Sequence, residues 1–553
     1  MLKKYGLPAI ITVLLAGIYY YLAVPSLNIK SAALWGFILF IVIAYIVLVG
    51  IVSGTLIISD LIRGKKFLNE ENYNAPVFFK KKTFKTIVLS VIAVVIVGVC
   101  LIFFSSSQIF NASEYQQMLT VKEANFNEDI AELPLSKIPV VDRDTAERLG
   151  SRKIGEVVEL VSQFNVSNYY TQINYQNTPV RVSPLEYADI VKWFTNKDEG
   201  IPYYVKIDMA TQDTELIELK SGMKYAPCEY FSRDLMRHVM FKYPTKMIDS
   251  VSFEISENGT PYWIISCYDY TIGFLGGYDI TSIVTVNACS GEMSEYDVSS
   301  VPTWIDCVYK ANVVLTQANY WGAYKNGYLN SIVSQKGVVK TTEGYNYLAI
   351  NDDIWAYTGI TSVVADESNI GFILVNLRTK EAKTFAINGA EEYSAMESAQ
   401  GKVQEKAYSA TFPILVNIAD TPSYFISLKD NAGLVKAYSF VSVANYQIVG
   451  VGDTLATAEA EYRRLLQETG KLQNGEGSNP SGSSTTEGSV EKISSAVVSG
   501  NTCYYIKLLN DQNIYIVNVS LNDGLPFVKV GDNLKIAYDK NTDTINVISV
   551  EIK

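Results

Sequence analysis

Ala32–Ile58 reads AALWGFILFIVIAYIVLVGIVSGTLII, 27 residues without a charge. Two similar runs flank it, LPAIITVLLAGIYYYLAV at Leu7–Val24 (18 residues) and TIVLSVIAVVIVGVCLIFF at Thr86–Phe104 (19 residues). A helix needs about 20 apolar residues to cross the hydrocarbon core of a bilayer, so each run is expected to span one. No later stretch of the chain qualifies. Residues 1–104 are thus expected to form a three-helix membrane anchor that carries everything after Phe104.

Charge sets the expected orientation. The segment between the second and third runs, Asp60–Lys85, holds Arg63, Lys65, Lys66, Lys80, Lys81, Lys82 and Lys85, whereas Pro25–Ser31 holds only Lys30. Basic flanks stay in the cytoplasm. The 60–85 loop and the amino terminus are therefore expected inside, and the 25–31 loop and the C-terminal body outside. A cleaved signal peptide is the rival reading of residues 1–24. Two further spans follow at once and no small-x-small site closes the run, so a retained anchor is expected. The anchor carries 10 Lys+Arg against 3 Asp+Glu, and the remainder 36 against 54. So acidic an exodomain argues against nucleic acid or anionic lipid as its main partner.

Composition removes several chemistries. His238 is the only histidine, and Ser-His-Asp or Cys-His catalysis and His-based zinc sites need that residue in designed positions. It falls among Phe231, Leu235, Val239 and Met240 at helical spacing and reads as a helix-face residue. No G-x-x-x-x-G-K-[ST] loop occurs, and Gly273, Gly276 and Gly277 read as a turn. Carboxylate chemistry of the glycosidase kind remains, but neighbours such as Asp352-Asp353 and Glu391-Glu392 are expected by chance in so acidic a body. Cys100, Cys228, Cys267, Cys289, Cys307 and Cys503 share no repeating spacing. They read as small buried hydrophobes, with one bridge among the middle four left open. No catalytic, cofactor-binding or metal-ligating residue is nominated.

The exodomain is expected to be α+β. Residues 105–137 run polar and acidic and read as a stalk, followed by an exodomain over 138–470. Thr145–Phe164 has helical periodicity broken at Gly150 and Gly155. Ser183-Pro184-Leu185-Glu186 reads as a capping box opening a helix to about Asn196. Strands then recur, opening as Ile201-Pro202-Tyr203-Tyr204-Val205, Thr260-Pro261-Tyr262-Trp263-Ile264 and Thr421-Pro422-Ser423-Tyr424-Phe425. Three hairpin turns also repeat. They are Ile207–Asp213, Val286–Glu292 and Val375–Glu381, in each of which Asp208, Asn287 or Asn376 is expected to bond backbone two residues on. Such self-similarity points to a duplicated module.

These hairpins resemble PepSY-type domains, cystatin-like units whose sheet ends in a V-D-x-x-T-G-E turn. Val286–Glu292 is the nearest to it, and the 207 and 375 turns lack its glycine. The whole chain also resembles multi-span, large-exodomain proteins of Gram-positive gut bacteria. The resemblance implies binding or modulation of an envelope partner more than catalysis.

Asp453-Thr454-Leu455 opens a further helix with Leu455, Ala458, Tyr462, Leu465 and Leu466 on one face, stopped by Gly470. Lys471–Gly488, KLQNGEGSNPSGSSTTEG, reads as a flexible tether. Residues 489–553 then read as a small all-β barrel of OB or SH3 type, with five strands. Tyr504, Tyr505 and Tyr515 could stack on bases, but 6 Lys against 7 Asp+Glu in an extracellular unit argue against nucleic acid. Tyr169-Tyr170, Tyr203-Tyr204 and Tyr345–Tyr347 read as half-buried strand residues rather than a sugar- or peptide-binding groove.

The expected function is that of a multi-pass extracytoplasmic envelope protein. It meets the bilayer through residues 7–104 and binds a protein, peptide or wall polymer without catalysis or cofactor. The alternative is a membrane-anchored, carboxylate-dependent wall hydrolase with an acidic pair facing across a cleft. Transport is disfavoured because the spans lack embedded charges.

Overall fold

The structure, a computed structural model, describes residues 5–62, 81–363, 368–469, 483–498, 501–522, 524–539 and 547–553. Most of the expected basic loop Asp60–Lys85 and of the tether Lys471–Gly488 lies outside them. The chain is α+β, with antiparallel sheets predominating. It divides into two units, one of residues 1–119, 186–203 and 218–338, the other of 120–185, 204–217 and 339–553.

In the first unit the apolar runs are helical over Leu7–Ala23, Ala32–Ile62 and Lys81–Ser106. Two described stretches, Ala32–Val52 and Val95–Gln116, are long and apolar enough to cross a membrane, while Leu7–Ala23 is shorter. The first two helices pair as a hairpin, with the Tyr19 ring on Phe37 at 5.4 Å and on Phe40 at 4.7 Å. The body of this unit is a four-stranded antiparallel meander, Met247–Ile255, Pro261–Ile272, Gly276–Asn287 and Met293–Asp297. Phe253, Trp263, Ile265 and Val284 are buried from it, because alternate residues of a strand point to one face. Helix Ala311–Tyr324 lies against the third strand, where Gln317 Nε2 donates to the Tyr278 carbonyl (3.2 Å) and to Asp279 Oδ1 (3.0 Å).

Besides the C-terminal strands, the second unit holds a six-stranded sheet that is antiparallel but for Val121–Glu123, a two-stranded ladder, and antiparallel strands that include Thr171–Tyr175 and Thr421–Lys429. Along the whole chain, helices Arg143–Gly155, Leu235–Lys242, Ala311–Tyr324 and Glu392–Lys402 alternate with runs of strands. Ala311–Tyr324 packs on the sheet before it. Helix Leu455–Glu468 opens at Asp453-Thr454-Leu455 as expected, is capped by Thr454, and buries Ala458, Tyr462 and Leu466. Gly450 admits it closely, since a Cβ there would stand 2.4 Å from the Tyr462 nitrogen.

Several local expectations change. Ser183–Glu186 is strand, within Thr178–Tyr187, and the helix is Ile190–Asn196 capped by Asp189. Pairing decided this, because Pro184 sits opposite Tyr204 and the Ser183 hydroxyl donates to the Ser167 carbonyl at 2.9 Å instead of capping. The 105–137 segment is built into the fold rather than standing clear as a stalk. It forms helix Gln108–Gln116 and strand Val121–Glu123, the latter parallel to Ala382–Phe385, and it buries Phe126 and Ile130. The C-terminal strands begin at Ser483, inside the expected tether, because Ser483–Ser489 pair with Asn533–Asp539. Strand Ser483–Val498 is shared: its second half pairs with Asn501–Leu508. The five strands order as Ile514–Asn518, Asn501–Leu508, Ser483–Val498, Asn533–Asp539 and Val547–Ile552. Among the described residues no ladder joins the two outer strands, so this is a five-stranded sheet with a buried core of Val490, Ile506, Tyr515, Leu534 and Ile536.

Candidate functional site: where the apolar helices meet the sheet

The glycine turn Gly273–Gly277 is the socket for the end of the third helix. Ser106 Oγ accepts from the amides of Phe274 (3.0 Å) and Leu275 (2.9 Å). Tyr115 OH donates to the Ser106 carbonyl at 2.7 Å and accepts from the Gly277 amide at 3.2 Å. Gly273 has φ +60, and a Cβ there would lie 2.1 Å from the Ser105 carbonyl oxygen; one on Gly276 would lie 2.5 Å from that of Ser106. Both glycines are needed because backbone fills the place of a side chain. Asn111 Nδ2 completes the joint by donating to the carbonyls of Ser105 (3.1 Å) and Ser107 (2.9 Å).

The loop between the first two helices reaches the same sheet. The Leu27 amide donates to Pro244 O (2.7 Å), and Lys30 Nζ reaches Asp269 Oδ1 and the Tyr270 carbonyl, each at 2.9 Å. Beside it, Arg237 donates to the Tyr21 carbonyl at 2.8 Å and stacks over the Tyr21 ring at 4.4 Å. Lys30, the lone cation of the Pro25–Ser31 segment, is thus neutralised by the strand that leads into the glycine turn.

The repeated turns share one geometry. Asp208 Oδ1 accepts from Ala210 and Thr211 (2.8 and 2.9 Å), Asn287 Oδ1 from Cys289 and Ser290 (3.0 Å each), and Asn376 Oδ1 from Arg378 and Thr379 (2.8 and 2.9 Å). Four residues on, Gln212, Gly291 and Lys380 all take positive φ, at 68, 75 and 63°. Only one of the three is glycine. At Gly291 the reason is visible, since a Cβ would meet the Tyr225 ring at 2.4 Å. His238 Nε2 lies 2.8 Å from the Gly291 carbonyl, with its ring 4.5 Å from that of Tyr225. The single histidine therefore ties helix Leu235–Lys242 to this turn.

Acidic residues are dispersed into separate structural roles. Glu254, fully buried, accepts from the Asp306 and Cys307 amides at 2.9 and 3.1 Å, and burial pushes its carboxyl up to about 7 against those bonds. Glu229 accepts from Trp193 Nε1 (2.7 Å) and Tyr187 OH (2.9 Å), and burial raises it as well. Glu392 is buried beside Asn369 and Glu459 beside Arg463, and burial raises both carboxyls. Of the neighbours noted in the sequence, Asp353 pairs with Arg378 at 2.6 Å while Asp352 occupies a turn at positive φ. Glu391 stands at the N-cap position of the helix that Glu392 begins, without a side-chain cap bond.

Among the described residues no group of three or more His, Cys, Asp or Glu is placed to hold a metal, and all six cysteines are free thiols. Tyr170, Tyr204 and Tyr515 are buried, whereas Tyr345 is exposed. Tyr515 donates to Asp511 at 2.6 Å, so it is a core residue and not a stacking platform. The helix socket had a sequence signal, the clustered glycines, but its partner Ser106 lies about 170 positions earlier and no local pattern links them.

No protein-family model matches the chain, and no curated protein does. Among solved structures, it is similar to a cobalt-substituted ACO from Synechocystis with 7% identity over 52% of this chain and 46% of that one, at a TM-score of 0.12. An ACO/RPE65 chimera gives 8% identity over 50% and 46%, also at 0.12. A levansucrase mutant from Bacillus subtilis gives 8% over 80% and 94%, at 0.17. The chain thus spans about half the length of the first two (46% of each). Likenesses at these scores carry no argument about fold or chemistry.

Proposed function

We propose that this chain is a multi-pass envelope protein. Its three apolar helices hold an extracytoplasmic α+β body that binds a protein, peptide or wall polymer without catalysis. The observation that carries the reading is the shared socket: the 25–31 loop and the end of the third helix both bond to Asp269–Gly277 and its neighbours. Read as three spans with basic residues between the second and third, the chain would have those two points on one side of a bilayer, together with the body. The succession of helix and antiparallel sheet, with the common Asp or Asn turn, supports a PepSY-like repeated module.

Binding is favoured over hydrolysis because Glu229, Glu254, Glu392 and Glu459 are each buried and engaged with donors of the fold. Crosslinking of the full chain in intact cells, followed by purification in detergent, tests this. A discrete envelope protein or wall fragment held in stoichiometric amount is the expected result. Release of sugar or peptide fragments from purified wall by the purified chain would overturn the non-catalytic reading.

A further inference from the structure

We propose that the first unit rests on the outer lipid leaflet through a collar of apolar side chains around the points where the helices enter it. The proposal rests on reading the three helices as membrane spans.

One part of the collar adjoins the first helix. Helix Ile190–Asn196 carries large apolar side chains outward as well as inward: Trp193 is buried, yet Ile190, Val191 and Phe194 are exposed, Val191 by 61%. A short helix in water turns its apolar stripe inward and a polar face out; here three large apolar side chains of the seven residues face outward. Phe231 is 60% exposed beside it, with its ring 6.0 Å from Trp193. Arg237 connects this cluster to the end of the first helix by donating to the carbonyls of Phe231 and Tyr21. Phe241, also exposed, meets Tyr20 edge-on at 5.9 Å.

The second part adjoins the third helix. Phe110 is exposed and packs on Phe104 at 4.9 Å. Tyr115, Tyr320, Tyr324 and Tyr328 continue from there at ring separations of 5.0, 6.0 and 6.0 Å. They lead to helix Tyr328–Ile332, which buries nothing and exposes Leu329, Ile332 and, just beyond it, Val333 at 79%.

Lipid is the occupant these observations favour. The apolar faces are continuous, through direct side-chain and backbone contacts, with helices that themselves expose Leu22, Ile46 and Phe104. Two cations beside the first part lie over aromatic rings, Arg237 on Tyr21 and Lys197 on Trp193 at 5.6 Å. Amphipathic rings with cationic tips belong at the headgroup level.

The test places the photoreactive residue p-benzoylphenylalanine at Phe194 or Val333 of the full chain. The protein is reconstituted in bilayers of phosphatidylcholine and phosphatidylglycerol. Ile46, in the second helix, serves as the span reference, and Asn258, in an exposed polar turn of the same unit, as the water reference. Lipid adducts at Phe194 and Val333 should approach the Ile46 yield and exceed that at Asn258 by about tenfold, as interfacial burial of an apolar side chain implies. Adducts at Ile46 with Phe194 and Val333 no higher than Asn258 would overturn the collar and leave the spans standing. Protein adducts in place of lipid at those two sites would overturn it too. Absence of lipid adducts at Ile46 itself would bring down the span reading, and the collar with it.

Discussion

Lys30 Nζ stands 2.9 Å from Asp269 Oδ1, joining the loop between the first two helices to the strand that ends in the glycine socket. The two side chains are 23% and 43% exposed, so solvent screens the pair and its own worth is under about 1 kcal/mol. Its role is to fix position. Lys30→Ala and Asp269→Ala should each lower the thermal stability of the full chain in detergent by up to about 1 kcal/mol. The swapped pair, Lys30→Asp with Asp269→Lys, should recover most of the loss. A swap no better than the worse single variant would show that the two charges do not interact.

The socket makes a steeper demand. Gly273→Ala would drive a Cβ to 2.1 Å from the Ser105 carbonyl at a backbone with φ +60. Neither atom can yield without moving main chain, and a loss of roughly 2–4 kcal/mol is expected. Gly17→Ala, in the first helix with nothing within 4 Å, should change stability by less than about 1 kcal/mol. Thermal unfolding of the two variants side by side measures the difference, and equal midpoints would contradict the socket.

The Asp or Asn turns were legible in the sequence because their bonds are local: Asn287 and its two amide donors lie within three residues. The helix misplaced at Ser183 was not, because Ser-Pro-Leu-Glu satisfies a capping pattern until Tyr204 supplies a strand partner. The polar composition of 105–137 hid widely spaced apolar residues such as Phe126 and Ile130, which become core only against distant segments. The socket itself depends on contacts such as Ser106 to Leu275 and Lys30 to Asp269, far apart in the chain. Composition and spacing hold no record of them.

Lys380 and Gly291 occupy the same place in two of the repeated turns, at φ 63 and 75°. Lys380→Gly relieves backbone strain but loosens the unfolded chain, so its net effect should stay within about 1 kcal/mol. Gly291→Lys meets the Tyr225 ring, which a Cβ would approach to 2.4 Å, and disturbs the carbonyl that His238 holds. It should cost more than about 2 kcal/mol. Equal effects in chemical denaturation would show that the two turns do not differ in the way their surroundings indicate.

Burial raises the Glu254 carboxyl to about 7 from an ordinary 4.5. The folded state then holds this proton more tightly than the unfolded chain. The resulting stability is complete below 4.5 and is lost as pH rises through 7. Glu254→Gln, which cannot ionise, should gain on the native chain between pH 5 and pH 8, by at most about 3 kcal/mol. The stability difference between the two chains, followed across that range, measures this. A difference independent of pH would show that Glu254 does not titrate there.

Orientation across the membrane is the claim on which the functional account stands, and protease added to intact cells tests it most directly. The account predicts that the body after Phe104 is shaved while an epitope placed in the Asp60–Lys85 loop survives until the cells are opened. A protected body, or a loop cut from outside, would contradict it.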